Sequence, residues 1–280
     1  GLPIRRPLES GTRTLPLMLV LFLPIVLGAG KIYEWADPAA VAHDPILRQK
    51  APYLNLPFFT GRAILYFAAS LEQDRTGDRP LARRLQLLSS AGLVAYGLTV
   101  TFASIDWAMS LEPHWFSTMY GVLFIAGQGL TAFAFIIVVL VRLADTPPFA
   151  GFVGQRQYHD LGKLMLAFVM FWAYVSFSQY LIIWSGNLPE EIPWYLRRLQ
   201  GGWGWVGAAL VLFHFLLPFL LLLPASANRS PKILGAVAAL VVFMRLVDVF
   251  WLTQPAFAGS RFRLHWMDLL APIGIGGVWL

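Results

Sequence analysis

The 280 residues are 58% hydrophobic and only 13% charged, with a mean hydropathy of +0.63, whereas ordinary globular chains run at about 45–50% and 25%. A water-soluble fold has too little interior to hide that much apolar surface, and the net charge of +6 sits between apolar runs, so a soluble domain and a nucleic-acid partner are not expected. The absence of Cys excludes thiolate-held iron–sulfur clusters, disulfides and thioether-attached haem from these residues.

A helix rising about 1.5 Å per residue needs about 20 mostly apolar residues to cross about 30 Å of hydrocarbon. Seven stretches meet that demand, near 14–31, 57–73, 85–105, 119–142, 162–186, 203–224 and 232–252. An eighth apolar run opens near Asp268 and stops at Leu280. Transmembrane strands would alternate polar and apolar residues, whereas Thr131 to Val141 is continuously apolar, which predicts helices. The expected fold class is therefore all-α: a polytopic transmembrane helix bundle with seven full spans and a truncated eighth. Residues 1–280 are expected to form a single integral-membrane helical domain. No signal-sequence pattern follows Gly1 and the last run is short, so a fragment of a longer protein is expected.

Connections carry the punctuation. Pro147-Pro148, Pro189, Pro193, Pro224 and Pro231 fall between spans, where a missing N–H does no harm. Trp35, Trp184, Trp194, Trp203, Trp205 and Trp251 lie near predicted helix ends, the place of interfacial anchors. The connection 31–56 is too short and Pro-rich for a soluble domain. Alternate connections hold twelve Lys and Arg on one side, including Arg5, Arg6, Arg13, Arg75, Arg79, Arg83 and Arg84, and seven on the other. The richer side is expected to be cytoplasmic.

Ionisable groups within spans are costly and mark function or tight packing. Arg245 and Asp248, three apart on the seventh span, share a helix face. They serve either as a self-neutralising pair that fixes packing or as a charged station on a proton or ion route. Gln179 with Ser176, Gln128 with Thr131, and Asp106 at the end of the third span fall at similar depth. They are candidates for the same route, or polar glue between helices. His214 precedes Pro218 by four residues, and a proline leaves the carbonyl of residue 214 without its helical donor. A packing histidine and a polar functional spot both fit. Bis-histidine haem would need a second mid-span histidine, and His43, His114, His159 and His265 all fall in connections. The loop DWAMSLEPHWFSTMYG, Asp106–Gly121, adds Glu112 and His114 in aromatic, non-basic surroundings. It could bind a metal, open a proton path or cap two helices.

That loop, with HDLGKLMLAFVMFWAYVSFSQYLIIWSGNLPEE from His159 to Glu191, resembles the F-type membrane subunits (ActF) of bacterial alternative complex III. These belong to the NrfD-like, polysulfide-reductase-like membrane family. The resemblance covers nearly the whole chain. It implies a fold of about ten helices in two four-helix bundles plus extra spans, in the bacterial cytoplasmic membrane. It further implies a subunit of a quinol:electron-acceptor (cytochrome c type) oxidoreductase with no redox centre of its own. Haem c and iron–sulfur clusters would sit on partner subunits: iron–sulfur and c-type cytochrome subunits, beside a C-type membrane subunit and lipids. In such complexes the C-type subunit is the better-supported quinol site and the F-type is associated with proton conduction or scaffolding; no quinone motif maps onto residues here. A secondary transporter, suggested by the proline-interrupted sixth span, and a purely structural scaffold stay open as alternatives.

Overall fold

The structure, a computed structural model, describes residues 14–75, 82–144, 146, 154–258 and 261–279. The predicted basic leading segment (Arg5, Arg6, Arg13), Arg79 and Pro147-Pro148 lie outside them. Among the described residues the regular structure is helical throughout. Five helices are long and apolar enough to cross a bilayer: Ala91–Leu111, Tyr120–Leu143, Gln155–Gly186, Trp203–Leu222 and Pro231–Thr253. They correspond to the third to seventh predicted spans and give the chain the character of a multi-pass membrane protein. The first two predicted spans form shorter apolar helices, Leu15–Leu27 and Leu56–Ala68. The reasons are local. Gly28 separates Leu15–Leu27 from the short helix Ala29–Ile32, and the second helix runs into the polar string Glu72-Gln73-Asp74-Arg75. The final run forms a 14-residue helix, Trp266–Trp279.

Packing divides the chain into two units, one comprising Arg6–Gly121 with Ile273–Leu280, the other centred on Val122–Pro272. In the first, the described elements are α1 (Leu15–Leu27), α2 (Ala29–Ile32), α3 (Pro38–His43), α4 (Pro45–Lys50), α5 (Leu56–Arg75) and α6 (Ala82–Trp107). The connection 31–56 is a folded cap rather than a loose loop. Asp37 and Asp44 each precede a proline, and their carboxylates accept from Ala39 N–H at 2.9 Å and from Ile46 N–H at 2.8 Å. An N-cap acid followed by Pro at the first helical position starts a helix twice within eight residues. Those starts turn Tyr33, Trp35, Leu47 and Leu54 inward onto Phe59 of α5, with Tyr33, Trp35 and Phe59 rings 5.1–5.5 Å apart.

The second unit holds α7 (Tyr120–Leu143), α8 (Gln155–Gly186), α9 (Ile192–Leu199), α10 (Trp203–Leu222), α11 (Ala225–Arg229), α12 (Pro231–Thr253) and α13 (Pro255–Ala258); α14 is Trp266–Trp279. Small residues let the long helices approach, the habit of helices in lipid. A Cβ on Gly129 of α7 would overlap Phe168 of α8, one on Gly235 of α12 would press Val141 of α7 at 3.1 Å, and one on Gly162 of α8 would meet Asn228 of α11 at 2.7 Å. Gly202, at φ 102°, occupies a left-handed position that a side chain would strain. Polarity is arranged inside out relative to a soluble bundle. Leu, Phe and Val crowd the exposed faces of α8 and α10, while Arg245, Asp248, His214 and Gln179 are buried. The tryptophans divide likewise: Trp184 and Trp205 are 66% and 82% exposed, as interfacial anchors require, but Trp35, Trp194 and Trp203 are packed inside the protein.

Candidate functional site

Two buried clusters, one in each unit, hold the predicted Arg245, Asp248 and His214 and the predicted Asp106. In the second unit α12 carries Arg245 and Asp248 one turn apart, so both point to the same side. The Arg245 guanidinium donates to the Asp248 carboxylate. The same carboxylate oxygen accepts the indole N–H of Trp172, from α8, at 3.1 Å. Arg245 also lies 5.6 Å from the Phe124 ring of α7 and flat against Gly127, where a Cβ would collide with the guanidinium. Trp172 meets the His214 ring of α10 edge to face, centroids 4.4 Å apart. Four helices thus converge through Gly127, Trp172, His214 and the Arg245–Asp248 pair.

His214 sits in a π-helical turn, Leu210–Leu216, a rare geometry that recurs at functional sites. Its side chain is fully buried, and neither ring nitrogen has a hydrogen-bond partner among the described residues. Ser176 Oγ, one turn beyond Trp172 on α8, is likewise buried without a partner. Gln179 faces the same way but hydrogen-bonds Tyr195 of α9, an interaction that works against the upward push of burial on that phenol. Gln128 is on the exposed side of α7, and the Thr131 hydroxyl donates to the Gly127 carbonyl at 2.7 Å. Of the expected route, Arg245 and Asp248 meet here beside His214, read from the sequence as a separate polar spot, while Gln179 pairs with Tyr195, Gln128 is exposed and Asp106 lies in the other unit.

Asp106 belongs to the first unit. Its carboxylate accepts two parallel bonds from Arg62, both 2.7 Å, and a third from the Tyr66 hydroxyl at 2.8 Å. Arg62 also donates to the Tyr53 carbonyl at 3.0 Å and stacks on the Tyr53 and Phe58 rings at 3.9 and 4.2 Å. Arg62 is 8% and Asp106 0% exposed. The remaining loop candidates tie chain to chain: His114 Nε2 lies 3.0 Å from Asp44 Oδ2, and Lys50 donates to the Pro113 carbonyl at 2.5 Å. Burial draws the Lys50 ammonium below its ordinary range. Glu112 is half-buried in the same loop. Of the three roles open to this loop, capping is the one these contacts serve. No three His, Cys, Asp or Glu side chains gather as a metal site among the described residues.

Sequence reasoning missed Arg62 and Arg198. Arg62 had a visible signal, because it and Arg245 are the two basic residues more than one turn inside the apolar stretches. Arg198 had none, since α9 looks like an ordinary basic connection. It is fully buried and its guanidinium donates to the carbonyls of Trp251 (3.3 Å), Trp194 (3.0 Å) and Leu252 (2.7 Å), stacking on Trp194 at 3.6 Å. A cation there caps the negative end of α12. Arg198→Met is expected to cost about 2–3 kcal/mol, the scale of losing charge-assisted bonds from buried carbonyls. Arg198→Lys recovers little, because three carbonyls in different directions need the planar fork. Unfolding midpoints in mild detergent check both; a midpoint unchanged in the Met variant removes the capping role.

No protein-family model and no curated protein sequence matches the chain.

Proposed function

We propose that the chain is an integral-membrane, non-redox subunit of a quinol:electron-acceptor oxidoreductase of the alternative complex III type, in the bacterial cytoplasmic membrane. In this reading the cluster of Arg245, Asp248, Trp172 and His214 is its proton-handling element, and electrons pass through haem and iron–sulfur centres on partner subunits. The observation that supports it most is that cluster itself. An ion pair and an imidazole with open nitrogens are held deep among apolar helices, where polar groups are costly and retained for a reason. The resemblance of the loop Asp106–Gly121 and of the string His159–Glu191 supplies the class of complex.

For Asp106 the geometry favours a structural role. Three donors converge on one carboxylate, and the pair ties α5 to α6.

An affinity tag on this chain in its native host tests the assignment. Detergent extraction is expected to yield a stoichiometric complex with c-type haem absorbance and quinol oxidation activity. A colourless preparation holding this chain alone, or a homo-oligomer active in solute uptake, sinks it in favour of a transporter.

A further inference from the structure

The Arg245–Asp248 pair is held at one carboxylate oxygen. That oxygen takes both the guanidinium and the Trp172 indole N–H, and Gly127 leaves the guanidinium no room to swing toward α7. The bonded carboxylate oxygen already has its donors in place, and an Arg does not release its proton. His214 is the opposite case. A neutral imidazole offers one donor and one acceptor, and here both are buried with no partner among the described residues. Each group left so costs about 1–3 kcal/mol.

The main chain beside the ring is short of one donor. In the π turn the Leu217 N–H reaches back five residues to the Leu212 carbonyl. Pro218 comes next and has no N–H, so it gives nothing to Phe213 in that register or to His214 in the α register. A polar guest small enough for a packed helix interface, and able to donate and accept at once, meets both needs. Water is such a guest, and buried polar sites of this kind hold it.

We infer that His214 is a buried hydration site, and that it, rather than Asp248, is the group of this cluster through which a proton passes. A water carrying an excess proton gives it to one ring nitrogen and is left neutral, while the opposite N–H gives its proton to a second water, which carries it on. One N–H bond forms as the other breaks, and the ring ends neutral. Asp248 and Arg245, bonded to each other, serve as the fixed pair beside it, and Trp172 touches both the pair and the ring. The proton-passing half of this inference rests on the proposed function, whereas the hydration half does not.

Infrared difference spectra of the purified assembly, taken in ordinary and in oxygen-18 water, read the site directly. An isotope-shifted band of a buried water is expected in the wild type, lost in His214→Leu and retained in His214→Gln, which keeps a donor and an acceptor. Proton release coupled to quinol oxidation is expected to fall on the order of 100-fold in the Leu variant, the low end of what a positioned proton-transfer group supplies. A band unchanged in His214→Leu overturns the inference. So does a Leu variant that outlives the wild type on heating, since that is the mark of a dry, unpaired imidazole. A native mass spectrum showing an organic molecule held by the wild type and lost from the Leu variant overturns it as well. A lost band with proton release intact leaves the water site standing and overturns the proton-route reading. If the Leu variant fails to assemble, the Gln variant alone decides: a retained band supports the site and its loss overturns it.

Discussion

Arg62→Met is expected to destabilise the protein by about 3–5 kcal/mol, the cost of leaving one buried charge without its partner. The pair has the geometry that makes such a loss large. Two parallel bonds of 2.7 Å join side chains 44 residues apart on different helices, and the Tyr66 hydroxyl adds a third. Removing the guanidinium strands the Asp106 carboxylate with one neutral donor, and also deletes the stacking on Tyr53 and Phe58. Asp106→Leu strands the cation and should cost a similar amount. Tyr66→Phe, which removes one hydrogen bond, should cost about 1 kcal/mol. The double replacement Arg62→Met with Asp106→Leu should recover most of the loss, because apolar side chains can substitute for a buried pair when both charges go together. Unfolding of the purified protein by a denaturing detergent, followed by tryptophan fluorescence, gives the four values. Single variants within about 0.5 kcal/mol of wild type, the scatter of substitutions at ordinary surface sites, would show that the pair ties nothing.

Apolar run length made the long helices legible. The stretches 119–142 and 232–252 appear as Tyr120–Leu143 and Pro231–Thr253, within a residue or two of their expected ends, because lipid exposure dictates composition along a whole span. The connection 31–56 was less legible. Its Asp-Pro pairs announce helix starts, but the fact that Tyr33 and Trp35 then stack on Phe59 depends on tertiary approach that no local pattern encodes. The π turn at His214 was invisible for a related reason. Pro218 points to a disturbed helix, yet the same proline could have produced a kink in an α register. Arg198 shows the limit most plainly, since its partners are main-chain carbonyls of α9 and α12 and carbonyls have no sequence signature.

The two buried ion pairs also differ in a way that residue spacing foretells. Arg62 and Asp106 come from α5 and α6, so their attraction is spent on joining helices. Arg245 and Asp248 are three apart on one helix, so the pair neutralises itself and lowers the cost of placing α12 among apolar neighbours, whatever surrounds it. Helix-to-helix cohesion at this site must then come from what the pair touches: the Trp172 indole of α8 and the bare backbone at Gly127 of α7.

That division predicts a specific pattern of losses in the second unit. Arg245→Met leaves the Asp248 carboxylate with the Trp172 indole as its remaining donor among the described residues and is expected to cost about 3–5 kcal/mol, as for any stranded buried charge. Gly127→Ala leaves both charges in place but drives a methyl group into the guanidinium. Overpacking of a filled interior costs about 1–3 kcal/mol, so the Ala variant should fall in that range. If the clash with Arg245 is the cause, Gly127→Ala should cost much less in a background where Arg245→Met and Asp248→Leu have removed both charges and shortened the side chain facing Gly127. The coupling between the two sites, read from a double-mutant cycle on detergent-unfolding midpoints, should be 1 kcal/mol or more, within the about 0.5–3 kcal/mol seen for residues in contact. Simple additivity would mean that Gly127 is small for the sake of some other neighbour, and that the guanidinium does not rest on α7.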